Sequence, residues 1–192
     1  MVTRFEDNTA GRQALRRDMV ARRAALSDAE RDALSARIVS HALAALPTPR
    51  IAAFCWPIKH EPDVRPLLAP WMAAGVRAAL PVVIDAGQAL AFRAWTADTP
   101  LVPDRYGIPT PSAGDWLTPD LILLPLNGFD AAGYRLGYGG GFFDRTLAAL
   151  VPRPLAVGVG FEINRLDSIG PEAHDQRLDW IVTENGAFRP SA

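Results

Sequence analysis

The sequence predicts an α/β fold built on a mostly parallel central sheet. Three observations lead there. Short apolar runs alternate along the chain with segments of helical spacing, the order that the crossovers of a parallel sheet require. Asp120 to Leu126, DLILLPL, is almost continuously apolar, as a central strand covered on both faces must be. A glycine-rich loop then leaves that strand and enters a helical segment, which is where sheets of this kind bind ligands. With 192 residues, 49% of them hydrophobic and 21% charged, the chain can bury one substantial core and is short for two. A single domain over 1–192 is the expectation.

Taken in order, Thr9 to Leu26 reads as a helix. Ser27-Asp28-Ala29-Glu30 has capping-box spacing and starts a second helix that runs to about Leu46. Leu34, Ile38 and Ala42 give that helix its apolar face, and Pro47 and Pro49 stop it. Arg50 to Trp56 reads as a buried strand, and its Cys55, the only cysteine, as a small buried hydrophobe. Asp63 to Ala74 reads as a helix, followed by strands over Val76 to Ile84 and Gln88 to Trp95. Thr96 to Asp120 is too rich in proline for regular structure and is expected to be an ordered surface loop anchored by Leu101, Tyr106, Ile108 and Trp116. Beyond the central strand, Phe142 to Leu150 has helical spacing, Pro154 to Gly160 is an apolar strand, and Asp179 to Thr183 is a short last one.

Composition excludes several function classes. Net charge is −1 and the basic residues are scattered, so no footprint exists for nucleic acid or an anionic membrane. Any bound anion must be held locally. One cysteine cannot form an internal disulfide framework. Met1 to Gln13 lacks the apolar core of a signal peptide, and no run approaches the ~18 apolar residues of a membrane span. A soluble, cytoplasmic monomer acting on small molecules is expected.

The stretch RLGYGGGFFDR, Arg135 to Arg145, carries the strongest chemical signal. Six of the chain's 15 glycines lie between Gly128 and Gly141. Without side chains, backbone N–H groups can turn toward a phosphate at a helix start, where the dipole is positive. The alternative is a loop whose glycines only permit positive φ, Gly140 included, at a tight turn. Arg135 can give a phosphate a bidentate charge, and Asp144, in the first turn of the next helix, can hold Mg²⁺ or simply complement the helix terminus. Arg145 can pair with Asp144. A Walker loop needs Gly-Lys-Ser/Thr, which is absent, and a dinucleotide fingerprint expects an early strand and a later ribose-binding acid.

The longer run DLILLPLNGFDAAGYRLGYGGGFFDRTL resembles, nearly position for position, the signature of the 5-formyltetrahydrofolate cyclo-ligases, or 5,10-methenyltetrahydrofolate synthetases. YGIPTP, before the central strand, and AHDQRLDWIVTE, near the end, extend the resemblance over most of the chain. It implies a three-layer α/β domain that uses ATP and Mg²⁺ to close 5-formyltetrahydrofolate to 5,10-methenyltetrahydrofolate, releasing ADP and phosphate. By the same resemblance, ATP contacts fall on Arg12 and Arg16, in a Lys-x-x-Leu-Arg motif whose lysine is here arginine, and on Arg135, Leu136, Gly137, Tyr138, Gly139, Gly140, Gly141, Phe142 and Phe143. Folate contacts fall on Trp56, Glu61 and the loop from Tyr138 to Phe142; the magnesium carboxylates are Asp144 and Asp175. Arg135, Gly139 and Gly140 would stabilise the transferring phosphoryl group. Tyr138-Gly139-Gly140-Gly141 stands where some members carry Arg-Gly-Lys-Gly, so the arginines must cover more phosphate charge. His174 reads as a partly exposed loop residue. A non-catalytic folate or nucleotide binder of the same fold, and a ligase for another formylated metabolite, are the competing readings.

Overall fold

The structure is a computed structural model that describes residues 4–191, with side-chain surroundings from Ala10 onward. The ends of the expected domain, Met1 to Thr3 and Ala192, lie outside the described residues, as does part of the stretch read for a signal peptide. The chain opens with helices α1 (Arg4–Ala24) and α2 (Asp28–Ala45). The box between them forms as expected: Ser27 Oγ accepts from the Glu30 amide at 3.3 Å, and the Glu30 carboxylate accepts from the Ser27 amide at 2.8 Å. That hydroxyl, with the Ser27 amide, also holds the exposed Glu30 carboxyl below its usual range.

Next come β1 (Ile51–Ala53), α3 (Leu68–Ala73), β2 (Arg77–Val82) and β3 (Ala91–Trp95), then three short strands, β4 (Leu101–Pro103), β5 (Pro109–Pro111) and β6 (Trp116–Leu117). The predicted central strand is β7 (Leu121–Pro125). It is followed by the two-residue strands β8 (Gly128–Phe129) and β9 (Arg135–Leu136), helix α4 (Phe142–Ala149), and β10 (Leu155–Val159), β11 (Trp180–Thr183) and β12 (Gly186–Phe188).

Eight strands form one sheet in the order β12-β11-β10-β7-β1-β2-β3-β6. The inner run from β11 to β2 pairs in parallel, and β12, β3 and β6 add antiparallel edges. Alternate residues of β7 serve opposite faces, as its period of two dictates. Leu121 and Leu123 pack with Ile38 and Ala42 of α2 and Trp71 of α3; Ile122 and Leu124 pack with Leu147 of α4. Helices thus cover both faces, which is the expected three-layer α/β arrangement.

Two expectations need correction. The proline-rich segment is partly regular: β4 and β5 pair antiparallel, and Trp116 and Leu117 extend the main sheet against β3. Prolines survive there because these strands are short edges with few amides to donate. Of its expected anchors, Tyr106 and Trp116 are largely exposed. The helix expected over Asp63 to Ala74 is a 3-10 turn at Arg65–Leu67 followed by the short α3. Pro66 and Pro70 fit because each lies in a first turn, where no amide is needed.

Candidate functional site

The chain runs from β1 to β2 on one side of the sheet and later from β7 through β10 to β11 on the other, so neighbours β1 and β7 flank the point where the winding reverses. Beyond the carboxyl ends of those strands a crevice opens by topology alone. A cavity of about 770 Å³ lies there, with Cys55 and Trp56 following β1 and Pro125 closing β7 in its wall. Of the residues nominated from sequence, Arg12, Arg16, Trp56, Glu61, Arg135, Gly137, Tyr138, Gly139, Gly140, Gly141, Phe142, Phe143, Asp144 and Asp175 all line it. Leu136 does not: it is fully buried in β9, packed on Gly128.

The first wall is cationic. α1 turns one face inward, and residues 12, 16, 19 and 23 fall within about 60° of one another at 100° per residue; Arg12, Met19 and Arg23 are buried there, and Arg16 is half-buried. Arg12 forks onto Asp175, with Nη1 3.0 Å from Oδ2 and Nη2 3.4 Å from Oδ1, and Glu172 lies 3.7 Å away. Arg12 Nε is buried with no hydrogen-bond partner among the described residues. Arg16 donates to the Gly137 carbonyl at 2.9 Å. Burial, then the Arg12 charge, lowers the Arg16 pKa against the opposing pull of Asp175 and Glu172. Two guanidiniums crowded this way favour an added anion.

The glycine loop forms the floor. Positive φ falls on Gly139 (100°) and Gly141 (63°), the latter preceding α4. Gly140 does not adopt it, contrary to expectation. What a Cβ at Gly140 would meet is the Phe142 ring, at 2.8 Å. Arg145 does not pair with Asp144 but donates to the carbonyls of Gly140 at 2.7 Å and Gln88 at 3.3 Å, staking the loop from outside. Asp144 belongs to Arg135, whose Nη2 is 2.9 Å from Oδ1; the same oxygen accepts from the Gln176 amide at 2.9 Å. Asp144 therefore ties the loop to the segment that carries Asp175. For Asp175, burial alone would raise the carboxyl pKa, but the Arg12 hydrogen bond, the Glu172 amide and the charges of Arg12 and His174 bring it below the usual range.

Opposite lies an acidic and aromatic pocket. Lys59 and His60 both adopt positive φ, 48° and 62°, at the centre of a tight turn closed by the Glu61 amide to the Ile58 carbonyl at 3.0 Å. Neither is glycine, and holding two such residues costs on the order of 1 kcal/mol each or more. The turn delivers Glu61 into the cavity, where Oε2 accepts from the Ile58 amide at 3.0 Å and Oε1 from the Tyr138 hydroxyl at 2.6 Å. Burial raises the Glu61 pKa; Tyr138, the Ile58 amide, Arg23 and Lys59 oppose it only in part. Trp56 is covered on one face by the Arg65 guanidinium, 4.7 Å from the ring centroid, which Asp63 holds in a fork of 2.8 and 2.7 Å. Trp56 lines the cavity and also packs against the core. Cys55 is only partly buried as a residue, and burial followed by the Glu61 charge pushes its thiol pKa up.

Sequence reasoning missed several lining residues. Asp104, Tyr106, Gly107, Ile108 and Thr110 reach the cavity from the β4–β5 hairpin, with the Tyr106 ring edge-on to Phe142 at 6.0 Å. The signal is the YGIPTP phrase, which lies in the expected surface loop and extends the family resemblance but is assigned no site residue from sequence. Lys59 lies over the Tyr138 ring at 4.7 Å. Arg23 could have been found from its spacing to Arg12 and Arg16, since 11 residues nearly complete three turns. His174 is exposed as expected, yet it lines the cavity 3.5 Å from Glu172.

Asp144 and Asp175 fit a magnesium ion in one way. No group of three or more His, Cys, Asp or Glu side chains converges among the described residues. Two carboxylates facing one cavity suit an ion that takes its remaining oxygens from phosphates and water, the usual habit of Mg²⁺.

Known proteins share this architecture and sequence. A solution structure of Aquifex aeolicus 5,10-methenyltetrahydrofolate synthetase superposes with a TM-score of 0.79 at 30% identity, covering 94% of this chain and 93% of that one. The 5-formyltetrahydrofolate cyclo-ligase of Mycolicibacterium smegmatis is 33% identical over 137 residues, 66% of this chain and 70% of its own. That of Mycoplasma pneumoniae is 27% identical over 177 residues, 90% of this chain and 98% of its own. The profile of the 5-formyltetrahydrofolate cyclo-ligase family matches residues 8–184, and the chain belongs to that family of enzymes.

Proposed function

We propose that the protein closes 5-formyltetrahydrofolate to 5,10-methenyltetrahydrofolate at the expense of ATP, with Mg²⁺, releasing ADP and phosphate. One observation carries the reading: a single cavity at the winding reversal brings the paired arginines of α1, the glycine loop, two carboxylates and the Trp56–Glu61 pocket face to face. Cationic wall and bare floor suit a polyphosphate; flat aromatic surface beside a buried acceptor suits a pterin.

The chemistry explains why those parts suffice. Ring closure must expel a formyl oxygen, a poor leaving group in water. In the proposed sequence that oxygen attacks the γ-phosphorus and ADP departs. The second folate nitrogen then adds to the activated carbon and loses its proton, and the carbon–oxygen bond breaks with release of phosphate. Alignment and charge stabilisation dominate such transfers. Arg12, Arg16 and Arg135 would supply positive charge and the glycine-loop amides hydrogen bonds, while Glu61 would accept from the pterin N–H groups. A bound Mg²⁺ on Asp144 and Asp175 would neutralise phosphate charge. No side chain is assigned as nucleophile or general base.

The experiment uses substrate labelled with heavy oxygen at the formyl carbonyl. Its label is expected in inorganic phosphate, one atom per turnover, with no product unless a γ-phosphoryl donor is present. Label recovered in water instead would rule out the phosphorylated intermediate.

A further inference from the structure

Arg23 is fully buried, and all three guanidinium nitrogens are used. Nε donates to the Lys59 carbonyl at 3.3 Å, Nη1 to Asn127 Oδ1 at 2.8 Å and its carbonyl at 3.2 Å, and Nη2 to the Tyr138 hydroxyl at 3.1 Å. One residue thereby joins α1, the strained Lys59–His60 turn, the end of β7 and the glycine loop. None of those partners is a carboxylate. A guanidinium that cannot lose its proton is costly to bury without counter-charge. The nearest acid along its bonds is Glu61, one hydroxyl further on, 2.6 Å from the Tyr138 oxygen.

The direction of the bonds follows. Arg23 can only donate, so the Tyr138 oxygen accepts from it and the phenol proton is left for Glu61. The Ile58 amide also only donates, so both Glu61 oxygens are acceptors. Resting on the folate reading above, we propose that Arg23, Tyr138 and Glu61 act as one relay in which the buried guanidinium fixes the phenol proton on Glu61 and so keeps that carboxylate ionised and oriented to accept from substrate. Arg23 is a positioning residue that acts through Tyr138. It also fixes the turn that carries Glu61, through the Lys59 carbonyl. The charged and titratable groups around Glu61 are Arg23 from α1, Lys59 from its own turn, Tyr138 from the glycine loop, and Cys55 after β1, with Arg135 also acting on Cys55. Apart from burial, the cations and the phenol favour the carboxylate form.

The test removes only the hydroxyl, by Tyr138→Phe, with Arg23→Lys as a second variant and thermal melting to confirm folding. Glu61 is titrated by carbon-13 NMR on protein labelled at the glutamate carboxyls, its resonance identified by its loss in Glu61→Gln. In Tyr138→Phe the Glu61 titration should move to higher pH, because a donor that favours the carboxylate is gone. KM for 5-formyltetrahydrofolate should rise about tenfold, the scale of a hydrogen bond to a charged group, with a larger rise on the acid side of neutrality and little change in KM for ATP. Arg23→Lys, which keeps charge but loses the fork, should shift both readouts the same way by less. An unmoved Glu61 titration in Tyr138→Phe, or equal loss for folate and ATP, overturns the relay. A shifted Glu61 titration in Tyr138→Phe, with wild-type protein that does not turn over this folate, leaves the link between Arg23, Tyr138 and Glu61 standing and overturns the functional reading instead.

Discussion

Asp144 shows how one side chain serves geometry and charge together. Its Oδ1 accepts from Arg135 and from the Gln176 amide, while Oδ2 has no hydrogen bond among the described residues. Asn keeps the first oxygen and loses the charge. Asp144→Asn should therefore melt close to wild type while turnover falls by roughly two or more orders of magnitude through lost metal and phosphate stabilisation. Turnover near wild type would remove Asp144 from the proposed metal site. Arg12 is a different case, because its fork is engaged on both oxygens of Asp175. Arg12→Lys should lose under about tenfold in kcat/KM and Arg12→Ala much more, if charge matters beyond the fork. At this scale the sequence was informative where a motif concentrates unusual residues, as in the glycine stretch. Helical spacing puts Arg23 on the arginine face of α1, but its partners lie 36, 104 and 115 positions away and become neighbours only through the fold.

The glycine loop and the helix it feeds act as a unit. Gly139 and Gly141 bear the left-handed backbone, and Gly140 gives room for Phe142. Gly140→Val should therefore act by displacing that ring and the carbonyl that Arg145 holds, and isothermal titration should show ATP affinity reduced by tenfold or more. Unchanged affinity would mean that the loop is a bare turn. Elements of this size were legible unevenly. Helices α1 and α2 repeat their period long enough to be read, β7 shows as a continuous apolar run, and Ser27 and Glu30 mark a boundary by their own hydrogen bonds. β8 and β9 are two residues each, too short to show alternation, and β4 and β5 are bounded by prolines that ordinarily argue against strands. Those hidden elements are the ones that shape the site, with β9 carrying Arg135 and the β4–β5 hairpin presenting Tyr106 to the cavity rim.

Across the whole molecule, the candidate site and the anchoring of the strands occupy opposite ends of the sheet. At the amino ends of the strands, Asp120 accepts from the Arg50 amide at 3.1 Å and the Ile51 amide at 2.8 Å, while its own carbonyl accepts from the Leu155 amide at 2.9 Å. One residue thus ties the starts of β1, β7 and β10. Partial burial works to raise its carboxyl pKa, but the Ile51 and Arg50 amides and the Arg50 side chain bring it below the usual range. Asp63, Glu162 and Asp175 are depressed likewise, each with burial opposed by an arginine partner. For an acid whose folded value lies below its unfolded one, the native state binds fewer protons. The stabilisation is present in full above the unfolded value of about 4 and is lost as pH falls through the folded value. Melting temperature should therefore drop steeply on acidification below about pH 4. Asp120→Asn isolates one contribution: it should lower the melting temperature at neutral pH, make the acid decline shallower than in wild type, and leave turnover at 25 °C unchanged, because the site lies at the other end of the strands. An acid slope identical to wild type would show that Asp120 titrates alike in folded and unfolded chains. A parallel loss of turnover would show that the two ends of the sheet are coupled.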